Sequence, residues 1–362
     1  MRIEVDCERL RANTEAVVRL CAPHGIEVAG VTKACQGHPE VARAMLAGGT
    51  ACLAESRLAN VRRLRQAGIE ANILLLRLPA LSEADEVVQL TQCSLNTQVE
   101  TVQALSRAAA AHGVVHRVIL MLETGDRREG VMPEEALAVA RGMASLPNIE
   151  LIGMGANTTC IAGVLPSREN TQLLVDVAEA VERELGLRFQ TISAGNSASL
   201  ALLLRDEMPG RATQLRVGGA ILIGEVDSTG DWPRAIPHQD AFTVFAEVIE
   251  VETKPSVPEG RVAPNAFGEV PSWPDLGARR RAILALGRQD LQIESLIPAR
   301  PGMTILGASS DHLVLDVTEA SPAVRLGEEL EFRPLYGAVA TGMASAVATQ
   351  IVKGISTPAS TA

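Results

Sequence analysis

The 362-residue chain reads as an α/β protein: a closed (β/α)₈ barrel of the TIM type with a second, mostly β domain after it. Three observations predict this. Between residues 8 and 224 short apolar runs alternate with longer amphipathic stretches, and eight such runs occur, enough to close a parallel barrel. Beyond Gly224 the helical spacing gives way to strand-length segments separated by Pro- and Gly-bearing turns.

In chain order, "ERLRANTEAVVRLCAPHG" predicts a helix ahead of the barrel. The strands are then "EVAGVTK", "TACLAE", "NILLLRL", "CSLN", "HRVILML", "IELIGMG", "FQTISAG" and "QLRVGGAILIG". Between them, stretches such as "HPEVARAMLAGG", "QVETVQALSRAAAAHG" and "ENTQLLVDVAEAVERELG" carry helix formers at a 3.6-residue period and end in Gly. The barrel is expected over residues 8–224 and the β domain over 225–362, with residues 1–7 joining the latter. In that domain "AFTVFAEVIEVET", "RRAILALG", "MTILGAS", "HLVLDV" and "EELEFRPLY" read as strands. Thr253 to Leu276 holds five prolines and two glycines and reads as a loop, and "STPASTA" as a polar tail.

Composition narrows the function classes. Apolar residues make up 47% and charged residues 21%, with 33 basic against 43 acidic side chains, net −10. The basic residues are scattered and aromatics are 2%, which argues against a nucleic-acid partner. Six cysteines without CxxC spacing indicate neither a zinc site nor a disulfide framework, but thiols in a reducing compartment. No stretch has the length of a membrane span, and "MRIEVDCERL" lacks the apolar run of a signal peptide, so a cytoplasmic location is expected.

The catalytic face of such a barrel lies at the C-terminal ends of its strands. Lys33 closes the first strand, where a buried ammonium without a partner costs several kcal/mol, on the order of a whole hydrogen-bonded pair. Polar residues follow the later ones: Arg128 in "ETGDRREG", Asn157 and Thr158 in "GANTT", and Asn196 and Ser197 in "SAGNSAS", while Arg216 begins "RVGGAILIG" at the eighth strand with Gly218 and Gly219 next to it. Small residues and hydroxyls after the late strands suit a phosphate, because backbone N–H groups must approach the anion closely. Lysine plus phosphate cradle suggests pyridoxal 5′-phosphate, held as a Schiff base by the lysine amine.

These residues resemble those of the alanine racemase-like family of pyridoxal phosphate enzymes. The order "VTKA", "AMLAGGTACLAESRLANVRRLRQAG", "TGDRREG", an Asn-Ser pair and an Arg-x-Gly strand is similar over nearly the whole chain. The strings "GDRREG", "RVGGAILIGE", "AFGEVP", "RRRAILALGRQDL" and "LGASSDHLVLDV" resemble the ornithine racemase branch. The resemblance implies a homodimeric amino-acid racemase that removes and returns the Cα proton of a basic amino acid such as ornithine or lysine. Lys33 would be the cofactor lysine and one base, which requires a lowered pKa. Arg216 would face the pyridine nitrogen, Arg128 the cofactor phenolic oxygen and substrate carboxylate, and Ser197, Gly218, Gly219 and Tyr336 the phosphate.

The chain also departs from that pattern. Alanine racemases supply a tyrosine from the partner subunit in a "GYxDG" segment, whereas Tyr336 is the only tyrosine here. The second base then falls to Asp311 and His312 of "SSDH" or to Asp290 of "GRQD", reached across a dimer interface, with His38 a further candidate. Gln36 and Asn157 stand near a family tyrosine and histidine. Three rival readings stay open: a non-catalytic cofactor carrier, a Schiff-base aldolase without cofactor, and a metal-assisted aldolase or dehydratase. The last is disfavoured because adjacent Asp311 and His312 on a strand would point to opposite faces. Asp206 and Glu207 read as a solvated helix end.

Overall fold

The computed structural model describes residues 1–226 and 235–354; "STPASTA" lies outside them. The chain divides into two compact units, Cys7–Gln239 and a second formed by Met1–Asp6 with Asp240–Lys353. After β1 (Arg2–Asp6), which belongs to the second unit, α1 (Cys7–Cys21) leads into the barrel. The barrel then runs β2 (Glu27–Val31), α2 (Pro39–Ala47), β3 (Cys52–Glu55), α3 (Leu58–Gln66), β4 (Ile73–Leu75), α4 (Ala84–Leu90), β5 (Cys93–Asn96) and α5 (Val99–His112). It continues through β6 (His116–Met121), α6 (Ala136–Ala144), β7 (Ile149–Ala156), α7 (Arg168–Leu185), β8 (Thr191–Ala194), α8 (Leu200–Leu204), β9 (Gln214–Val217) and α9 (Gly219–Ile223).

Every neighbouring pair from β2 to β9 is parallel, and β9 pairs back with β2, so no edge remains. The strands are short and nearly continuous in apolar residues because helices cover their outer face and side chains fill the inside. Ala29, Val31, Ala54, Leu74, Leu95, Ile119 and Met121 form one buried cluster. The helices present amphipathic faces as their 3.6-residue spacing requires; α7 buries Thr171, Leu174, Val175, Ala178 and Val181, is capped by Ser167 accepting from Asn170 N–H, and stops at a left-handed Gly186.

One apolar run folds differently from its reading. "QLRVGGAILIG" is a strand only to Val217; Ala220, Ile221, Leu222 and Ile223 form α9, buried on all sides. A short, uniformly apolar segment has no periodicity to distinguish a buried strand from a buried helical turn.

His116, which opens β6, is 1% exposed and its Nε2 lies 2.9 Å from Ser94 Oγ. Burial pushes its pKa down to about 4. In the unfolded chain it takes up a proton near pH 6.5, and in the folded chain only near pH 4. The neutral ring's contribution is therefore present above pH 6.5 and drains away as pH falls towards 4, on the order of 3 kcal/mol in total. His116→Gln should lose less stability than the parent between pH 7 and 4.5 in urea unfolding; parallel losses would refute the assignment.

The second unit is an eight-stranded sheet. Its further strands are β10 (Phe242–Pro255), β11 (Ala278–Leu284), β12 (Leu296–Pro298), β13 (Thr304–Ala308), β14 (Leu313–Asp316), β15 (Glu329–Pro334) and, after α10 (Tyr336–Gly342), β16 (Thr349–Lys353). The order is β12-β15-β10-β11-β14-β13, with β1 antiparallel to β10 and parallel to β16. β10 extends to Pro255, where pairing of Thr253, Lys254 and Pro255 with Arg280, Arg279 and Ala278 carries it three residues into the segment read as loop. β12 and β16 go unread in the sequence, being short or alternating without an apolar run.

Candidate active site

β2 ends at Val31 and the chain turns at once into a single 3₁₀ turn, Lys33–Cys35. Cys35 and Gly37 N–H donate to Thr32 O (3.1 and 3.2 Å) and Gln36 N–H to Lys33 O (3.2 Å). Thr32 Oγ1 donates to Glu55 Oε2 at 2.9 Å, and the other oxygen of this fully buried carboxylate accepts from Ser56 N–H (2.6 Å) and Asn60 Nδ2 (3.2 Å). The end of β3 thereby fixes the turn that carries Lys33. The Lys33 ammonium is partly buried and makes no hydrogen bond or ion pair among the described residues. Burial pulls its pKa below that of an ordinary lysine; Arg128 and Arg216 act in the same direction, Cys160 and Glu55 against it.

Arg216, on β9 beside β2, is 4% exposed. Its Nη1 donates to Ser193 O (3.2 Å) and Ser193 Oγ, and its Nη2 to Ala156 O (2.7 Å) and Asn157 Oδ1 (3.4 Å). One guanidinium thus spans the ends of β7 and β8. Burial brings its pKa down to about 10, which leaves it protonated at neutral pH.

After β8, Asn196 Oδ1 accepts from Ala198 N–H (3.0 Å), while its Nδ2 donates to Thr158 O (2.8 Å) and Asn157 Oδ1 (3.2 Å). Ser197 Oγ accepts the N–H groups of Gly218 and Ala220, both at 3.2 Å, which leaves its own proton free to donate. A Cβ added at Gly219 would meet nothing closer than Ser197 Oγ at 3.7 Å, so that side of the turn is open. Thr158 Oγ1 is buried and without a hydrogen-bond partner among the described residues.

Arg128 lies in the loop after β6, which folds back on itself: Glu123 N–H donates to Val131 O and Val131 N–H to Met121 O, both at 2.9 Å. Gly130, at φ +145°, makes this possible, because a Cβ there would stand 2.4 Å from Glu123 N. Asp126 ties the loop to the one after β7 by accepting from Cys160, Ile161 and Ala162 N–H at 3.2–3.3 Å. Arg128 donates through Nε and Nη2 to Glu129, which holds its guanidinium more firmly protonated than usual. Asn157 Nδ2 donates to Cys160 Sγ at 2.8 Å.

The barrel therefore gathers Lys33, Arg128, Asn157, Thr158, Asn196, Ser197, Arg216, Gly218 and Gly219 at its strand ends. His38 stands just ahead of α2 at its N-cap position, and its Nδ1 is buried without a partner among the described residues. The remaining candidates belong to the second unit. Tyr336 opens α10 and is 38% exposed. The turn containing Asp290 packs on the β13–β14 hairpin through Arg288 N–H to Ser309 O (3.0 Å) and Gln289 N–H to Ser310 O (2.9 Å). A Cβ at Gly287 would lie 2.2 Å from Ser310 O, so glycine permits the close approach. Asp290 closes its own turn, its Oδ2 accepting from Gly287 N–H at 2.8 Å. Asp311 and His312 are not on a strand but in the hairpin turn, where Asp311 Oδ1 lies 2.8 Å from His312 Nδ1. They converge, and the strand-alternation reason for setting them apart does not hold. Among the described residues no group of three or more His, Cys, Asp or Glu side chains is placed to share a metal.

Glu55, Asp126, Glu129, Cys160 and Ser193 were not singled out from the sequence. Glu55 lies within "AESRLAN" and Asp126 and Glu129 within "TGDRREG", so the strings marked the neighbourhood, while the hydrogen bonds that give these residues their place are long-range.

Residues 5–225 match the model of the alanine racemase N-terminal domain, and the chain belongs to that family. It is 35% identical to an ornithine racemase of Acetoanaerobium sticklandii over 95% of this chain and 97% of that protein. It is 36% identical to a lysine racemase of Thermotoga maritima over 95% and 96% respectively. The fold matches the crystal structure of alanine racemase from Streptomyces lavendulae with a TM-score of 0.74 at 19% identity, covering 98% of this chain and 97% of that one. The cofactor of the family, pyridoxal 5′-phosphate, fits the donors present: an unpartnered amine for its aldehyde, a hydroxyl with a free proton beside an open glycine turn for its phosphate, and a buried guanidinium for its ring nitrogen.

Proposed function

We propose that the protein is a pyridoxal 5′-phosphate-dependent racemase of basic amino acids such as ornithine or lysine. The similarity over nearly the whole length to racemases of these two amino acids supports the substrate class. The observation that carries the chemistry is the Lys33 amine, partly buried, without a partner and with its pKa lowered. Bound at this site, the cofactor would draw off electrons from the amino acid and acidify its Cα–H bond. Lys33 would anchor it, Arg216 would donate to its ring nitrogen, and Ser197, Gly218, Gly219 and Asn196 would bind its phosphate end. Asn157 and Thr158 would line the ring. Arg128 would orient the substrate carboxylate.

Once freed by the incoming amino acid, the Lys33 amine would take the proton from one face of Cα, and a second group would return one to the other. For that group the exposed Asp311–His312 pair is favoured over Asp290, whose carboxylate already closes a turn. Supply of this pair by a second copy of the chain makes the working form a homodimer. The six cysteines, none in a disulfide, are in keeping with a cytoplasmic location. In deuterated water with the cofactor, both enantiomers of ornithine or lysine should lose their Cα proton signal by NMR. Cofactor binding without exchange of any amino acid would leave only the carrier reading.

A further inference from the structure

We propose that Glu129 is the substrate-selecting carboxylate, the acceptor for the distal ammonium of a basic amino acid; this rests on the racemase reading above. The turn after β3 and the loop 122–132 bring four carboxylates to the strand ends, and three of them are committed to holding backbone or neighbouring side chains. Glu55 binds Thr32, Ser56 N–H and Asn60; Glu123 binds Gly125 N–H; Asp126 binds three N–H groups of the loop after β7. Glu129 differs. Its side chain is 14% exposed and among the described residues bonds a single partner, Arg128, through one edge of the guanidinium.

That arrangement leaves donors of Arg128, which also interacts with the Cys160 side chain, to a substrate α-carboxylate. One arginine then holds two carboxylates side by side, one brought by the ligand and one built into the protein. An arm of three or four methylenes ending in an ammonium can turn back to the second; an apolar arm has nothing to offer it. The Glu129 carboxylate is largely withdrawn from water, and its charge also reaches Arg216, where it opposes the effect of burial. Without it, Lys33, Arg128 and Arg216 would present three cationic groups to a cationic side chain.

The test compares L-ornithine with L-norvaline, which has the same carbon chain but no terminal amine, in the wild-type holoenzyme, Glu129→Gln and Glu129→Asp. The ratio of the two kcat/KM values should fall roughly 10- to 100-fold in Glu129→Gln, the effect of losing one hydrogen bond between charged groups, and recover in part in Glu129→Asp. Calorimetric binding of the racemic amino acids, which show no net turnover, should lose the same preference. If both substrates slow by the same factor and the binding preference is unchanged, Glu129 only orients Arg128 and the proposal is wrong. If the wild-type holoenzyme exchanges norvaline but no basic amino acid, the substrate class proposed above fails and takes this inference with it.

Discussion

Lys33→Ala is expected to abolish Cα exchange while leaving the fold as stable as the parent or slightly more so. The two halves of this expectation have one cause. The ammonium is partly buried, has no hydrogen bond or ion pair among the described residues, and stands where two arginines repel it. Its presence costs the folded chain desolvation energy that no partner offsets, so removing it should not lower the melting temperature. The turn survives, because Thr32, Glu55 and the backbone bonds of Cys35, Gln36 and Gly37 hold it without the side chain. Activity has no such reserve. Loss of general-base action alone costs about 10²- to 10⁴-fold, and loss of the covalent anchor adds to it. NMR exchange of the Cα proton and thermal unfolding of the cofactor-free proteins check both halves. Exchange within tenfold of the parent, or a clear fall in melting temperature, would remove Lys33 from the role assigned to it.

Much of the barrel was legible because its signal is local. Each strand is a short apolar run bounded by a helix with a 3.6-residue period, and nothing outside "EVAGVTK" or "HRVILML" is needed to read it. The same locality explains the misreadings. In "QLRVGGAILIG" the strand-to-helix switch at Gly218 is invisible to a pattern that is apolar on both sides. In "SSDH" the expectation that neighbours diverge applies to extended backbone, whereas Ser309 Oγ accepts from His312 N–H and helps to bend the chain into a turn that brings the two side chains together.

The site was legible in a different way. Strand-end position picks out Lys33, Arg128, Asn157 and Ser197 one at a time, since each follows an apolar run, and Arg216 is picked out as a charge inside one. What links them is not sequential. Asp126 reaches 34 to 36 residues along the chain to clamp the loop after β7, and Glu55 reaches back 23 to Thr32. Such partners appear in a sequence only as polar residues inside a string, which marks the neighbourhood but not the partner. For that reason the residues that hold the site in shape emerge from the structure, while those expected to do the chemistry stand out beforehand.

Arg216→Met should lower stability by about 2–4 kcal/mol and weaken cofactor binding, with Arg216→Lys falling between. The guanidinium is a buried cation paired with no carboxylate among the described residues; its acceptors are Ser193 O, Ser193 Oγ, Ala156 O and Asn157 Oδ1. Methionine fills much of the volume but leaves those oxygens without donors in a site that excludes water, and two of them belong to the ends of β7 and β8, where the barrel must stay closed. Lysine keeps the charge yet cannot reach the carbonyls of two strands at once, because its donors radiate from a single nitrogen. The loss should appear in urea unfolding of the cofactor-free protein as well as in the affinity for the cofactor. That separation matters: if Arg216→Met unfolds at the parental midpoint, the four hydrogen bonds contribute nothing net to the barrel. If stability falls but cofactor affinity does not, Arg216 is a strut between strands and not the donor to the ring nitrogen.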